Sequence, residues 1–253
     1  MHSELTSGRP RDTDAAPADE VGQRAAKNRL LSALSPDTRA SLEPHLERIT
    51  LEIGDALATA GKGWSFLYFP EDAAVSMIHR MHDGGAIEVG IIGNEGVVGL
   101  PGLLGAVSCD ADAIAPIPGS ALRAPVDAVR AASRRHPELL DVVHRYTHAY
   151  LAQVTQNAAC NQMHSLEQRV ARWLLTAHDR AGRAETLPLK HEYLAMMLGV
   201  HRPAVSLVVG TFKARGFVNY SRGRMHLDDR VGLESTACEC YRIVRQRFEQ
   251  ILT

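Results

Sequence analysis

The chain lacks any apolar run long enough to cross a bilayer, which takes about 20 residues, and its N-terminus shows no signal-peptide pattern. Both absences set a cytoplasmic protein with no membrane partner as the expectation. Cysteine is scarce: Cys109, Cys160, Cys238 and Cys240 are the only four in 253 residues and have no framework spacing. In a reducing compartment they read as free thiols. Cys238 and Cys240 form a Cys-Glu-Cys run where two thiols could respond to oxidation, with ordinary packing the plainer reading. No Ser/His/Asp set, paired carboxylates or phosphate-binding lysine motif stands out, so no enzyme activity, cofactor or metal is expected.

What is present is an uneven charge. The formal net charge of −1 hides two halves of opposite sign. The residues before Ser165 carry 14 Lys or Arg against 20 Asp or Glu, and those from Ser165 onward carry 14 against 9. That asymmetry points to a nucleic-acid partner for one end only.

The basic end contains the most informative stretch, Pro188 to Leu227. Tyr193, Leu194, Met197 and Leu198 mark the inner side of a helix from about Lys190 to Leu198. Gly199 suits the left-handed close of that helix, and Val200 plugs the corner. Pro203 fits the first turn of a second helix, where Val205, Val208, Val209 and Phe212 make an apolar stripe. Its other side carries Arg202, Pro203, Ser206, Leu207, Gly210 and Lys213. After Gly216 a hairpin is expected, with a break at Ser221-Arg222 and two tip arginines, Arg222 and Arg224. Six Lys or Arg and one acidic residue lie between Pro188 and His226. A winged helix-turn-helix bound to double-stranded DNA accounts for the pattern, with the wing on phosphates.

Ahead of it, residues 1–22 hold few large apolar side chains and read as a disordered arm. An amphipathic helix is expected from Arg24 to Leu34, and another after Ser35-Pro36-Asp37. From Glu47 to Ala124 the texture is β-rich, with strands at Ile49–Ile53, Phe66–Phe69, Ala73–Met81, Ile87–Ile92 and Ser120–Ala124, and a turn at Asp83-Gly84-Gly85. Short strands with glycine corners suggest a small barrel or roll. Helices follow at Val126–Arg134, from near Pro137, at Ser165–Ala181 and at Cys238–Leu252. In the long helix after Pro137, Leu139, Val143, Tyr146, Tyr150, Gln153, Asn157 and Cys160 form one stripe, and Leu140, Thr147 and Val154 form another. One stripe can face the roll and the other a second subunit. The division is thus an arm (1–22), a β-roll (23–135), a dimerisation helix (136–164) and a winged unit (165–253), an α+β chain.

An acidic β-roll, a long helix and a winged helix-turn-helix, in that order, resemble the Crp/Fnr family of bacterial transcription regulators. The likeness is strongest at Arg169-Val170-Ala171-Arg172-Trp173-Leu174-Leu175 and at Leu194-Ala195-Met196-Met197-Leu198-Gly199-Val200 followed by Arg202-Pro203-Ala204-Val205-Ser206. The resemblance implies a homodimer with a cyclic-nucleotide-binding-like sensor roll, an effector of small-molecule size, and a recognition helix at about Pro203 to Arg215. It places His201, Arg202, Pro203, Ser206 and Leu207 toward the bases and Lys213, Arg222 and Arg224 nearer the backbone. Pro203 and Leu207 stand where better-known members show Glu and Arg. Gly93-Asn94-Glu95-Gly96 resembles the start of the family's cyclic-nucleotide loop. The later segment, Cys109-Asp110-Ala111-Asp112-Ala113, offers two carboxylates and no arginine. Two carboxylates there would repel a phosphate by roughly 1–4 kcal/mol per close pair, which argues against cyclic AMP. No cysteine precedes Cys109, which argues against the family's iron–sulfur cluster.

Two rivals remain. His79, His82 and Glu88 on a hairpin raise a cupin-like metal-binding enzyme, but histidines three apart on a strand point to opposite faces. A ligand-sensing protein-interaction module is the other rival, and the basic wing argues against it.

Overall fold

The structure, a computed structural model, describes residues 27–251. The arm expected over residues 1–22 lies outside the described residues. Of the helix expected from Arg24 to Leu34, the described part contains only α1 (Arg29–Ser32), capped by the Asn28 side chain. The Asn28 amide also donates to the carbonyls of Pro70 and Gly96, at 2.8 and 2.9 Å, and so fastens this start to the body of the chain. Ser35 caps α2 (Pro36–Leu42), with Pro36 in its first turn.

Strands β1 (Glu47–Leu51), β2 (Ala56–Ala58), β3 (Phe66–Pro70), β4 (Ala74–Arg80), β5 (Ala86–Ile92), β6 (Asp112–Ile117) and β7 (Gly119–Pro125) make two antiparallel sheets, with a short helix α3 (Leu100–Leu103) between β5 and β6. Their orders are β1-β7-β3 and β2-β6-β4-β5. Ile49, Leu51, Tyr68, Val75, Met77, Ile92 and Ala115 form the buried filling of this roll. Each fully buried aliphatic side chain of this size contributes about 1.5–3 kcal/mol.

The sequence reading missed two strands. The larger, β6, is buried at all six positions, so it shows no alternation. It begins at Asp112, one of the two carboxylates expected to repel a phosphate. In the fold Asp110 is exposed, while Asp112 is buried and binds Arg80 Nε at 2.6 Å and the Ala60 N–H at 2.9 Å. Arg80 of β4, distant in sequence, thus balances the charge of Asp112. The short β2 pairs with β6 across a register irregularity. The first strand also starts and stops two residues earlier than expected, leaving Ile53 exposed.

Helix α4 (Val126–Arg135) leads to α5 (Glu138–Met163), which has 26 residues and is about 39 Å long. Its first turn carries Glu138 and Asp141, favourable charges at a helix start. Leu139, Val143, Tyr146, Gln153, Asn157 and Cys160 are buried as one face. Leu140, Thr147 and Val154 are half-buried and Leu151 is exposed.

Helix α6 (Leu166–Arg180) opens with a full capping box between Ser165 and Gln168. There follow β8 (Thr186–Pro188), α7 (His191–Leu198), α8 (Arg202–Ala214), β9 (Val218–Ser221), β10 (Arg224–Leu227), α9 (Arg230–Thr236) and α10 (Cys240–Ile251). Helix α9 was not foreseen. The Asp229 side chain caps it by accepting from the Gly232 N–H.

The unit from α6 to α9 packs its core on the outer face of the four-stranded sheet. Ile78, Ile91, Ile114 and Ile117 meet Trp173, Leu174 and Leu198 in one cluster. A polar contact sits inside this joint, where the Trp173 indole N–H and the Ser76 hydroxyl both donate to Glu88, at 3.0 and 2.5 Å. Helix α10 then leaves the winged unit and packs back on α5, placing Val244 and Phe248 with Leu139, Tyr146 and Ala149. Among the described residues, no single helix is long and apolar enough to cross a membrane.

Candidate nucleic-acid interface

Helix α7 ends where the sequence requires it. Gly199 adopts φ +62, its N–H and that of Val200 bond back to Met196 and Ala195, and the axis turns by 111° into α8. That angle lies within the range of helix-turn-helix units. A side chain at Gly199 would also approach Ile87 of the roll, 3.0 Å from a Cβ placed there. The turn is therefore both left-handed and docked.

Helix α8 starts at Arg202, one residue before the expected Pro203, with His201 as its N-cap and Pro203 in the first turn. Val205, Val209 and Phe212 are buried beneath it. His201, Arg202, Pro203, Leu207, Gly210 and Lys213 are exposed along one side, and Leu207 keeps 75% of its surface. Ser206 is less free than expected. It is half-buried, and its hydroxyl lies 2.9 Å from His191 Nδ1. The His191 ring in turn stacks on Tyr220 at 4.2 Å. Burial, with the Arg202 charge second, holds His191 below the usual histidine range, so it stays neutral near neutrality.

The wing is a hairpin of β9 and β10, with β8 on its other edge. Ser221 pairs with Arg224, so the turn is Arg222-Gly223, one residue later than expected. Both have positive φ, 50 and 76, the geometry of a tight two-residue hairpin turn. Arg222 and Arg224 are exposed at this tip.

Arg202 forms an exposed ion pair with Glu192 at 3.2 Å, worth less than about 1 kcal/mol and readily exchanged for another anion. Lys213, Arg222 and Arg224 make no ion pair with another described residue. An exposed helix side flanked by three such cations can meet the major groove and its phosphates together.

The four loop residues Gly93, Asn94, Glu95 and Gly96 lie in a different setting. Arg180, at the end of α6, binds Glu95 at 2.8 Å, and both side chains are 6% exposed. The same guanidinium donates to the Ile91 carbonyl and to Gln153. The Asn94 carbonyl accepts from the Arg29 N–H at 2.6 Å, and the Gly93 N–H donates to Glu95 at 3.1 Å. A Cβ at Gly93 would lie 2.4 Å from Arg180, and one at Gly96 2.4 Å from the Tyr146 hydroxyl. The glycines allow close approach, and the approaching groups belong to the protein itself. A cleft of about 90 Å³ lies outside this contact, lined in part by Asn94, Glu95, Arg180 and Arg245. Arg180, on which no sequence expectation rests, is thus the group that holds this loop in place.

The histidines of the rival metal site do not converge with Glu88. His79 and His82 are exposed, whereas Glu88 is buried against Ser76 and Trp173.

Residues 168–236 match the family model of the Crp-like helix-turn-helix domain. They form a helix-turn-helix domain of that class. Similar solved structures include FixK2 from Bradyrhizobium japonicum, at 16% identity and a TM-score of 0.65, covering 76% of this chain and 98% of that one. A CRP-family transcriptional regulator from Thermus thermophilus is 23% identical with a TM-score of 0.63, covering 74% and 95%. The c-di-GMP-responsive global regulator CLP of Xanthomonas campestris is 17% identical with a TM-score of 0.61, covering 76% and 99%. No curated protein matches the chain by sequence. The chain carries a Crp-like helix-turn-helix domain on the fold of the Crp/Fnr transcription regulators.

Proposed function

We propose that the chain is a homodimeric transcription regulator that binds specific double-stranded DNA sites and works by binding, not catalysis, in the cytoplasm. The observation that carries this reading is the exposed side of α8 beside Arg222 and Arg224 of the wing, which make no ion pair with another described residue. His201, Arg202, Pro203, Ser206 and Leu207 would meet base edges. Pro203 and Leu207 offer apolar contact, for which a thymine methyl is the partner in the major groove. Lys213, Arg222 and Arg224 would sit against phosphates. Dimerisation through α5 uses Leu140, Thr147 and Val154, which recur every seven residues as a coiled-coil seam does. Two recognition helices paired this way would read half-sites about one helical turn, ~34 Å, apart. The divisions 23–135, 136–164 and 165–253 follow from that reading, with α10 as a strap from the last to the second.

The roll would not take cyclic AMP through Gly93–Gly96. Glu95 is already neutralised by Arg180, and a ligand there must first displace a buried ion pair. A small-molecule effector of other chemistry remains the expectation for the sensor.

Selection of bound fragments from genomic or random DNA, followed by binding titrations, tests the proposal. A recovered sequence bound well above random DNA is expected. No binding to any fragment at low salt would overturn it.

A further inference from the structure

Three cysteines and a histidine meet where α5 hands over to α6. Cys160 lies on the last turn of α5 and His164, four residues on, is its C-cap. Cys238 and Cys240 flank Glu239 at the start of α10. Cys160 Sγ lies 3.5 Å from Cys238 Sγ, and Cys240 Sγ 3.6 Å from His164 Nδ1. One ligand atom from each of the four residues falls within 4.8 Å of all the others. Tetrahedral zinc, with bonds of about 2.3 Å to sulfur and about 2.0–2.1 Å to nitrogen, has S–S edges near 3.8 Å and S–N edges near 3.6 Å. The two measured separations match those edges to within a few tenths of an ångström.

The surroundings fit a metal as well as the four atoms do. His164 turns Nδ1 to the thiols while Nε2 faces the Glu239 carboxylate at 3.3 Å. A carboxylate behind a ligating imidazole fixes its tautomer and orientation. The Gln156 amide donates to Cys240 Sγ at 3.0 Å. Arg169 and Arg172, both buried, each have an Nε without a hydrogen-bond partner. Three thiolates around a divalent ion leave one net negative charge for those guanidiniums to offset. Simple packing of thiols does not call for the imidazole–carboxylate pair.

We propose that Cys160, His164, Cys238 and Cys240 bind one zinc ion, a structural site that fixes α10 to α5 at the junction with the DNA-binding unit. Binding replaces three S–H protons, released to solvent, with three sulfur–zinc bonds, and no oxidation is involved. An iron–sulfur cluster is a poorer occupant, because its ligands bind separate irons and must stand farther apart than a single ion requires. The site also reaches the recognition element. Arg169, in the first turn of α6, donates to the carbonyl of Leu198, the last residue of α7. The ion would hold the platform on which the Gly199 turn rests.

The test is elemental analysis of the full chain, made in zinc-supplemented medium and purified under reducing conditions without a metal column. About one zinc per chain is expected. Chelator-treated protein given cobalt(II) should show thiolate-to-cobalt charge transfer and the visible bands of a tetrahedral ion, a readout that needs no variant. Cys109→Ser, away from the cluster, should keep the metal, and Cys238→Ser should lose it. Glu239→Gln should bind ~10- to 100-fold more weakly. Wild-type protein with neither zinc nor tetrahedral cobalt bands would overturn the proposal. So would a metal-free chain carrying a Cys160–Cys238 disulfide, or zinc retained at full stoichiometry by the Cys238→Ser, Cys240→Ser double variant. None of these readouts uses DNA, so the site stands or falls apart from the regulator reading.

Discussion

Glu95 and Arg224 stand in opposite situations. Glu95, in the loop that resembles a cyclic-nucleotide site, is buried against Arg180 with both side chains 6% exposed. Arg224, like Arg222 and Lys213, is exposed and makes no ion pair with another described residue. The roll has turned its charged group inward to join two parts of one chain. The winged unit has kept its charges for something outside. A charge left in water costs little until a partner arrives, whereas a buried one must be matched within the fold. The difference supports the binding role proposed for the winged unit and makes the loop part of the framework.

The comparison breaks most sharply at Arg180. Arg180→Ala leaves the Glu95 carboxylate buried and unpaired, and should cost roughly 3–5 kcal/mol in urea or thermal unfolding. Adding Glu95→Ala should recover part of that loss. A cost below about 1 kcal/mol would mean that the loop is held by other contacts. On the open side, Arg202→Ala should lose about 1–3 kcal/mol at the selected DNA site and relax specificity there. Arg224→Ala should weaken binding to all sequences and lower the salt slope by about 1. Anisotropy titrations at several salt concentrations separate the two behaviours.

Between these ends lies the turn. Gly199→Ala places a Cβ in a left-handed position, at about 1–2 kcal/mol, and against Ile87. Both stability and DNA affinity should fall, as read by unfolding midpoints and the same titrations. The smallest effect is expected at Glu88, in the joint between roll and winged unit. Burial raises its pKa above the ordinary glutamate range, more than the bonds from Ser76 and Trp173 and the charges of Arg172 and Arg180 lower it. The folded chain thus holds this proton more tightly than the unfolded one. The stabilisation is complete below the unfolded value and is lost as pH rises through the higher folded value. Glu88→Gln, always uncharged, should flatten that part of the stability–pH profile. An unchanged profile would show that Glu88 does not titrate in this window.

Much of the winged unit was legible because its signals are local. Gly199, Pro203 and the Val205, Val209 and Phe212 stripe lie within a few residues of the features they create. The hairpin turn falls one residue later than the sequence suggests because an arginine with positive φ carries no sequence mark. In the roll, β6 escaped notice because a strand buried at every position does not alternate. Partners distant in sequence were hardest to see. Nothing near Glu95 announces Arg180, and nothing near Asp112 announces Arg80. The cysteines follow the same rule, since a Cys-x3-His and a Cys-x-Cys are each too short to signal a site until α10 returns to α5.

The contrast between a closed loop and an open DNA face is tested most directly by one titration. The full chain is titrated against a selected DNA fragment, with and without saturating cyclic AMP. Sequence-specific binding with the same Kd in both arms is predicted, because Glu95 and Arg180 already satisfy each other. A requirement for the nucleotide, or a Kd that tightens tenfold in its presence, would contradict the account.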